Sequence, residues 1–336
     1  MTALGLAFAG IAQASTVTYL NGELHYQAGP GETNRVYVVS DDMGAHVIDL
    51  GASFIAPGGP CESEGPTEAF CTIAPIKQAR LRLTVFTDDQ DDYVNLSGAT
   101  YSQGLIEAGA GEDELIGGAG INGDTYDGGL GADVFHGRGT VDYHVRTNPV
   151  TVTLGDNLAN DGEPGENDLI PNEIDRVVGG QAGDTMTTLD VPEVGHTALV
   201  GEGGVDHLAM LKRGGHGWLE GNLGSDVLES HARHGVVHGG YGDDLLLGGD
   251  GAQALWGERG ENDIRGRGGN DRLIGGSGVD EISCGPGHDD ASGGHGNDMI
   301  FSRDGERDLI DGGAGKADRA RVDAGLDRVL RIEELL

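Results

Sequence analysis

Residues 275–301 read GGSGVDEIS, CGPGHDDAS and GGHGNDMIF, three nine-residue units end to end. Each has glycine at its second and fourth positions and aspartate at its sixth, and two have isoleucine at the eighth. From Gly221 to Ile310 this frame runs through ten units. A fixed short period constrains architecture more than any single motif, because every unit must fold alike and pack on its neighbours. Glycines at positions one, two and four suit a tight half-turn whose backbone angles other residues avoid. Positions seven to nine form a short strand, with an inward eighth side chain such as Leu246, Leu273, Ile282 or Ile300. Two units then make one coil of 18 residues, with strands stacked in parallel above and below a thin core. The expected class is all-β.

Stacking the loops brings successive position-six aspartates close together on each side. Carboxylates at strand spacing repel strongly where the dielectric is low. A hard dication held by carboxylates and loop carbonyls removes that repulsion, and an oxygen-only, flexible donor set favours Ca²⁺ over Zn²⁺. The whole chain leans the same way, with 56 acidic residues against 21 Lys and Arg and a net charge of −35. Such a surface repels phosphates, so neither nucleic acid nor an anionic membrane is an expected partner. No segment approaches the roughly 18 apolar residues of a membrane span.

Two shorter tracts reuse the unit. In 108–145 units begin at Ala108, Gly117, Gly128 and Gly137, and in 201–229 at Gly201, Met210 and Gly221. Between the tracts, residues 141–180 break the period with an alternating VTVTL strand and an acidic loop, DGEPGEND. Residues 15–100 differ again. TVTYL-NG-ELHYQ predicts a hairpin with Asn21-Gly22 in the turn, Tyr19 facing Leu24 and Val17 facing Tyr26. RVYVV (35–39) and LRLTVF (81–86) read as further strands. Cys61 and Cys71 share one loop-like stretch suited to a local disulfide in an exported protein, leaving Cys284 over. At the start, MTALGLAFAGIAQAS reads as a secretory leader with Ala12-Gln13-Ala14 before the cut. Its lack of basic residues suggests a start further upstream.

GGYGDDLLL, GGSGVDEIS and GGHGNDMIF resemble the repeats-in-toxin, or haemolysin-type, calcium-binding nonapeptide. Repeats of that family bind Ca²⁺ and fold as a parallel β-helix. The resemblance spans roughly 100–320 and implies a right-handed parallel β-roll. It also implies that the position-six aspartates are Ca²⁺ ligands: Asp113, Asp133, Asp206, Asp226, Asp244, Asp271, Asp280, Asp289 and Asp298. Loop carbonyls complete the set, among them those of Gly239, Gly275 and Gly293. Some units depart from the pattern. Gly235 and Gln253 stand where aspartate belongs, and Asn262 and Arg307 occupy position six with Asp263 and Asp308 one place late. Relatives often pair the CGPG cysteine with one near the terminus. Here Ile332 stands in that place, which leaves Cys284 without a partner.

Other chemistry finds little footing. Gly118 to Gly123 fits GxGxxG, but it lies inside the repeat with no helix to follow. His231, His234 and His238 fall at different unit positions and need not converge on a metal. The organisation expected is a leader (1–14), an N-terminal β domain or cap (15–100) and a first repeat tract (101–145). A non-repeat β insert (146–178), the main roll (179–320) and a C-terminal cap (321–336), strand or short helix, follow. The function expected is a secreted, non-catalytic calcium-binding protein with a structural or cell-surface role. The alternatives are a secreted enzyme with an unrecognised catalytic N-terminal domain, and an adhesin or matrix protein with an extracellular glycan or protein partner.

Overall fold

A computed structural model describes residues 14–40, 43–73, 81–118, 123–189, 196–211 and 214–336. The expected leader therefore lies, but for Ala14, outside the described residues. Among them there are strands and turns and no helix. The chain forms two compact units, Met1–Gly137 and Arg138–Leu336.

The second unit is a parallel β-solenoid with two sheets. One runs from Gly139–Asp142 to Arg328–Leu330 and the other from Thr151–Leu154 to Glu334–Leu335, with successive strands alternating between them. Strand Glu281–Ser283 pairs in parallel with Asp263–Arg265 before it and Met299–Ser302 after it, placing Ile264, Ile282 and Ile300 in one column. The opposite sheet aligns Leu255, Leu273, Ala291 and Ile310. All of these are fully buried. A three-residue strand offers one inward side chain, so the apolar eighth position carries nearly the whole core. Position four is dictated by stacking. A Cβ on Gly278 would lie 1.8 Å from the Gly260 carbonyl oxygen one coil earlier, at a backbone φ of +134°. Position two is less strict, since Glu258 and Arg267 take left-handed φ values of 71° and 69° there.

The non-repeat stretch contributes to the solenoid: Thr151–Leu154 pairs in parallel with Thr185–Thr188. At the C-terminus the chain forms two strands, Arg328–Leu330 and Glu334–Leu335, rather than a helix.

In the first unit the expected hairpin forms in the expected register, Val17 opposite Tyr26 and Tyr19 opposite Leu24. Asn21 and Gly22 supply the two positive φ values, 55° and 91°. Arg35–Ser40, Gly44–Asp49, Glu68–Thr72 and Cys61–Gly65 pair antiparallel in that order. Arg35–Ser40 then pairs in parallel with Tyr93–Gly98, and Glu23–Gln27 with Arg82–Phe86. Antiparallel strands thus cover the edge on which the first parallel coils build.

Cys61 and Cys71 face each other across neighbouring strands and are bonded. Cys284 is free and buried, and burial, with Asp289 and Asp308 nearby, pushes its thiol well above the usual range. Folded protein in Ca²⁺ should therefore resist thiol reagents, and denaturation without reductant should expose one reactive thiol per chain. Labelling of three thiols would show that the 61–71 bond is absent.

Candidate metal centre in the stacked turn loops

Each position-six aspartate sits at the end of a turn, immediately before its strand, and is nearly fully buried. Its Oδ1 accepts the backbone N–H of the position-six residue one coil earlier. On one side of the second unit, Asp184 donates to Asp206, Asp206 to Asp226, Asp226 to Asp244 and Asp244 to Asn262. The ladder continues from Asn262 to Asp280, Asp298, Asp318 and finally Glu333. The other side runs from Gln253 through Asp271, Asp289 and Asp308 to Asp327. In the first unit Asp92 donates to Asp113 and Asp113 to Asp133. All nine aspartates expected from the sequence thus fall on such ladders.

The second oxygen distinguishes the loops. Oδ2 of Asp113, Asp206, Asp226, Asp244, Asp271, Asp280, Asp289, Asp298 and Asp318 is buried with no hydrogen-bond donor among the described residues. A buried carboxylate oxygen left this way carries a large desolvation penalty. A loop carbonyl lies beside it. A Cβ on Gly275 would fall 2.3 Å from Asp280 Oδ2 and 2.5 Å from the Gly293 carbonyl oxygen. At Gly221 the same point is 2.2 Å from Asp226 Oδ2 and 2.6 Å from the Gly239 oxygen. At Gly257 it is 2.6 Å from the Gly275 oxygen but 2.5 Å from the Asn262 amide nitrogen, so that loop, without an aspartate, is not lined by oxygen alone. Glycine at position one leaves this oxygen-lined cradle open; any side chain would fill it.

The electrostatics agree. Burial, followed by neighbouring acids, raises the carboxyl pKa of Asp206 to about 8 and those of Asp113, Asp244 and Asp271 to about 7. Asp289 and Asp298 rise to about 6 for the same reasons. Either a proton or a cation must neutralise these groups, and the donors are all oxygen, the set suited to Ca²⁺.

Other loops supply their own donors. Asp124 Oδ2 receives the Tyr101 hydroxyl at 2.7 Å and the Gly118 N–H at 2.9 Å. The Ser302 hydroxyl donates to Asp308 Oδ2. Gln253 accepts the Gly249 N–H and donates to the Ala232 carbonyl. The Asn262 amide donates to Asp280 Oδ1.

One expected assignment is corrected. Leu309 pairs with Asp290 and Ile310 with Ala291, a step of 19 residues where the preceding coils step by 18. The loop absorbs one extra residue, so Asp308 rather than Arg307 stands at position six. Asp304 joins it there, with ligand oxygens of Asp289, Asp304 and Asp308 within 4.8 Å of one another. Sequence reasoning also passed over Asp184 in GGQAGDTMT, hidden by alanine at position four, and Asp318 in GGAGKADRA, hidden by another one-residue insertion. An aspartate two places before a buried apolar residue was the signal that would have found both. His231, His234 and His238 have separate partners: His231 meets Glu229, His238 meets Glu258, and His234 stacks on His216.

The family model for the RTX calcium-binding nonapeptide repeat (4 copies) matches residues 105–123, 220–255, 230–264, 247–282, 256–291 and 274–307. A search of curated proteins finds no match.

Proposed function

On the premise that this chain carries RTX calcium-binding nonapeptide repeats folded as a β-solenoid, we propose an exported, non-catalytic calcium-binding protein with a structural or cell-surface role. The observation that carries the reading is the row of buried, donorless Asp Oδ2 atoms beside open glycine cradles. Asp226, Asp244, Asp271, Asp280 and Asp298, each with glycine at position one of its unit, would hold Ca²⁺ together with carbonyls such as those of Gly239 and Gly293; in the Asp289 loop Cys284 takes the place of that glycine. The ion would supply the positive charge that lets these loops stack. One feature supports an extracellular setting. The bonded Cys61–Cys71 pair suits an oxidising compartment.

Fractionation of the producing cells tests the reading. The chain is expected in the medium or on the cell surface, folded when calcium is present there. Recovery as a folded protein from the cytoplasm would overturn it.

A further inference from the structure

Away from the calcium loops, the antiparallel part of the first unit carries a second donor cluster. His46 lies on strand Gly44–Asp49, Glu68 on Glu68–Thr72 and Glu64 on Cys61–Gly65, three neighbouring strands. The register sets His46 opposite Phe70 and Ile48 opposite Glu68, so Glu68 is the diagonal neighbour of His46 on the same face. Glu64 reaches that face by ordinary alternation: Glu62 stands opposite Phe70, and Glu64 follows two residues on, where the pairing shifts between Ser63 and Gly65. Phe70 packs against the imidazole with ring centroids 4.6 Å apart and holds its orientation.

The geometry converges on one nitrogen. His46 Nδ1 is 3.2 Å from Glu64 Oε2 and 3.2 Å from Glu68 Oε1. The three donor atoms all lie within 4.8 Å of one another. Imidazole Nδ1 carries at most one proton, which forms one good hydrogen bond, so an ion pair leaves the second carboxylate poorly served. Neither glutamate has another ion-pair partner among the described residues. A tetrahedral Zn²⁺ with bonds of about 2.0–2.1 Å sets its ligand atoms about 3.3 Å apart, close to both measured edges. Calcium takes six to eight oxygens at longer range and gains nothing from an imidazole, whereas borderline transition-metal dications prefer one. The three side chains are 29%, 44% and 36% exposed, which leaves the remaining coordination positions open to water.

We propose that His46, Glu64 and Glu68 form a binding site for one borderline transition-metal dication, Zn²⁺ being the fitting ion, separate from the calcium ladders. The test uses the full chain saturated with Ca²⁺, so that the turn loops are folded and occupied. Calorimetric titration with Zn²⁺ should show one site per chain, and Co²⁺ should give the visible bands of a low-coordinate nitrogen–oxygen site. His46→Ala should abolish the Co²⁺ spectrum, and Glu64→Gln or Glu68→Gln should weaken Zn²⁺ about 10–100-fold or more. The two Gln variants are nearly isosteric at part-exposed positions, so they keep the test valid if His46→Ala unfolds. His216→Ala, in the column where His196, His216 and His234 stack 5.1 Å apart, should leave the site intact. Absence of binding to the parent chain overturns the proposal. So does binding that survives Glu64→Gln and Glu68→Gln, or that His216→Ala removes.

Discussion

Adding Ca²⁺ to protein held in excess chelator at neutral pH should convert residues 201–320 from a largely disordered chain into strands. Far-UV circular dichroism would show the change, and calorimetry the ions taken up. The driving term is the buried carboxylates. In the fold, Asp244 and Asp271 titrate near 7, Asp206 near 8, and Asp289 and Asp298 near 6, all raised mainly by burial. In the unfolded chain they titrate near 3.9. Between these values the folded state holds more protons than the unfolded one, so metal-free stability falls as pH rises from about 4 to about 8. The slope is up to about 1.4 kcal/mol per pH unit for each carboxylate before screening. Several such groups rival the about 5–15 kcal/mol that stabilises a whole domain. In chelator, the strand signal should therefore be stronger near pH 5 than at neutral pH, and saturating Ca²⁺ should erase the difference. A strand-rich spectrum at neutral pH that chelation leaves unchanged would refute calcium-driven folding.

Replacing Asp280 by alanine should remove bound calcium from the solenoid, whereas replacing Gln253 should not. Asp280 Oδ1 anchors the N–H and the amide of Asn262, and its Oδ2 lies beside the Gly275 cradle without a donor. Its loss should raise the Ca²⁺ needed for folding by at least the roughly 10–100-fold that even an outer partner of a metal site commands. The number of ions per chain should fall as well. Gln253 already spends its amide on Gly249 and Ala232. Gln253→Ala breaks those two bonds and should reduce stability by about 1–3 kcal/mol. The calcium midpoint shifts only as far as that loss of stability requires, and the bound-ion count stays the same. Calorimetric stoichiometry separates the two variants. An equal loss of ions from both would show that the sites do not follow the aspartate ladders.

The period of nine, with Gly at four, Asp at six and an apolar residue at eight, determined on its own the strands, the 18-residue coil and the buried columns. It did so because each unit meets its backbone and core requirements locally. Gly278 must be glycine to clear the Gly260 carbonyl, and Ile282 must be apolar because its strand has one inward side chain. The hairpin at Asn21-Gly22 was legible for the same reason, since its turn and both strands lie within 13 residues, 15–27. What the tertiary structure decided is which side chains meet across coils and strands. Asp308 reaches position six because a loop takes up one residue, and Tyr101 satisfies Asp124 from 23 residues away. The register of three neighbouring strands brings two glutamates to His46, and three histidines from separate coils stack in one column. These meetings depend on register and insertion length between elements. A local repeat does not encode those quantities; the packing of whole coils sets them.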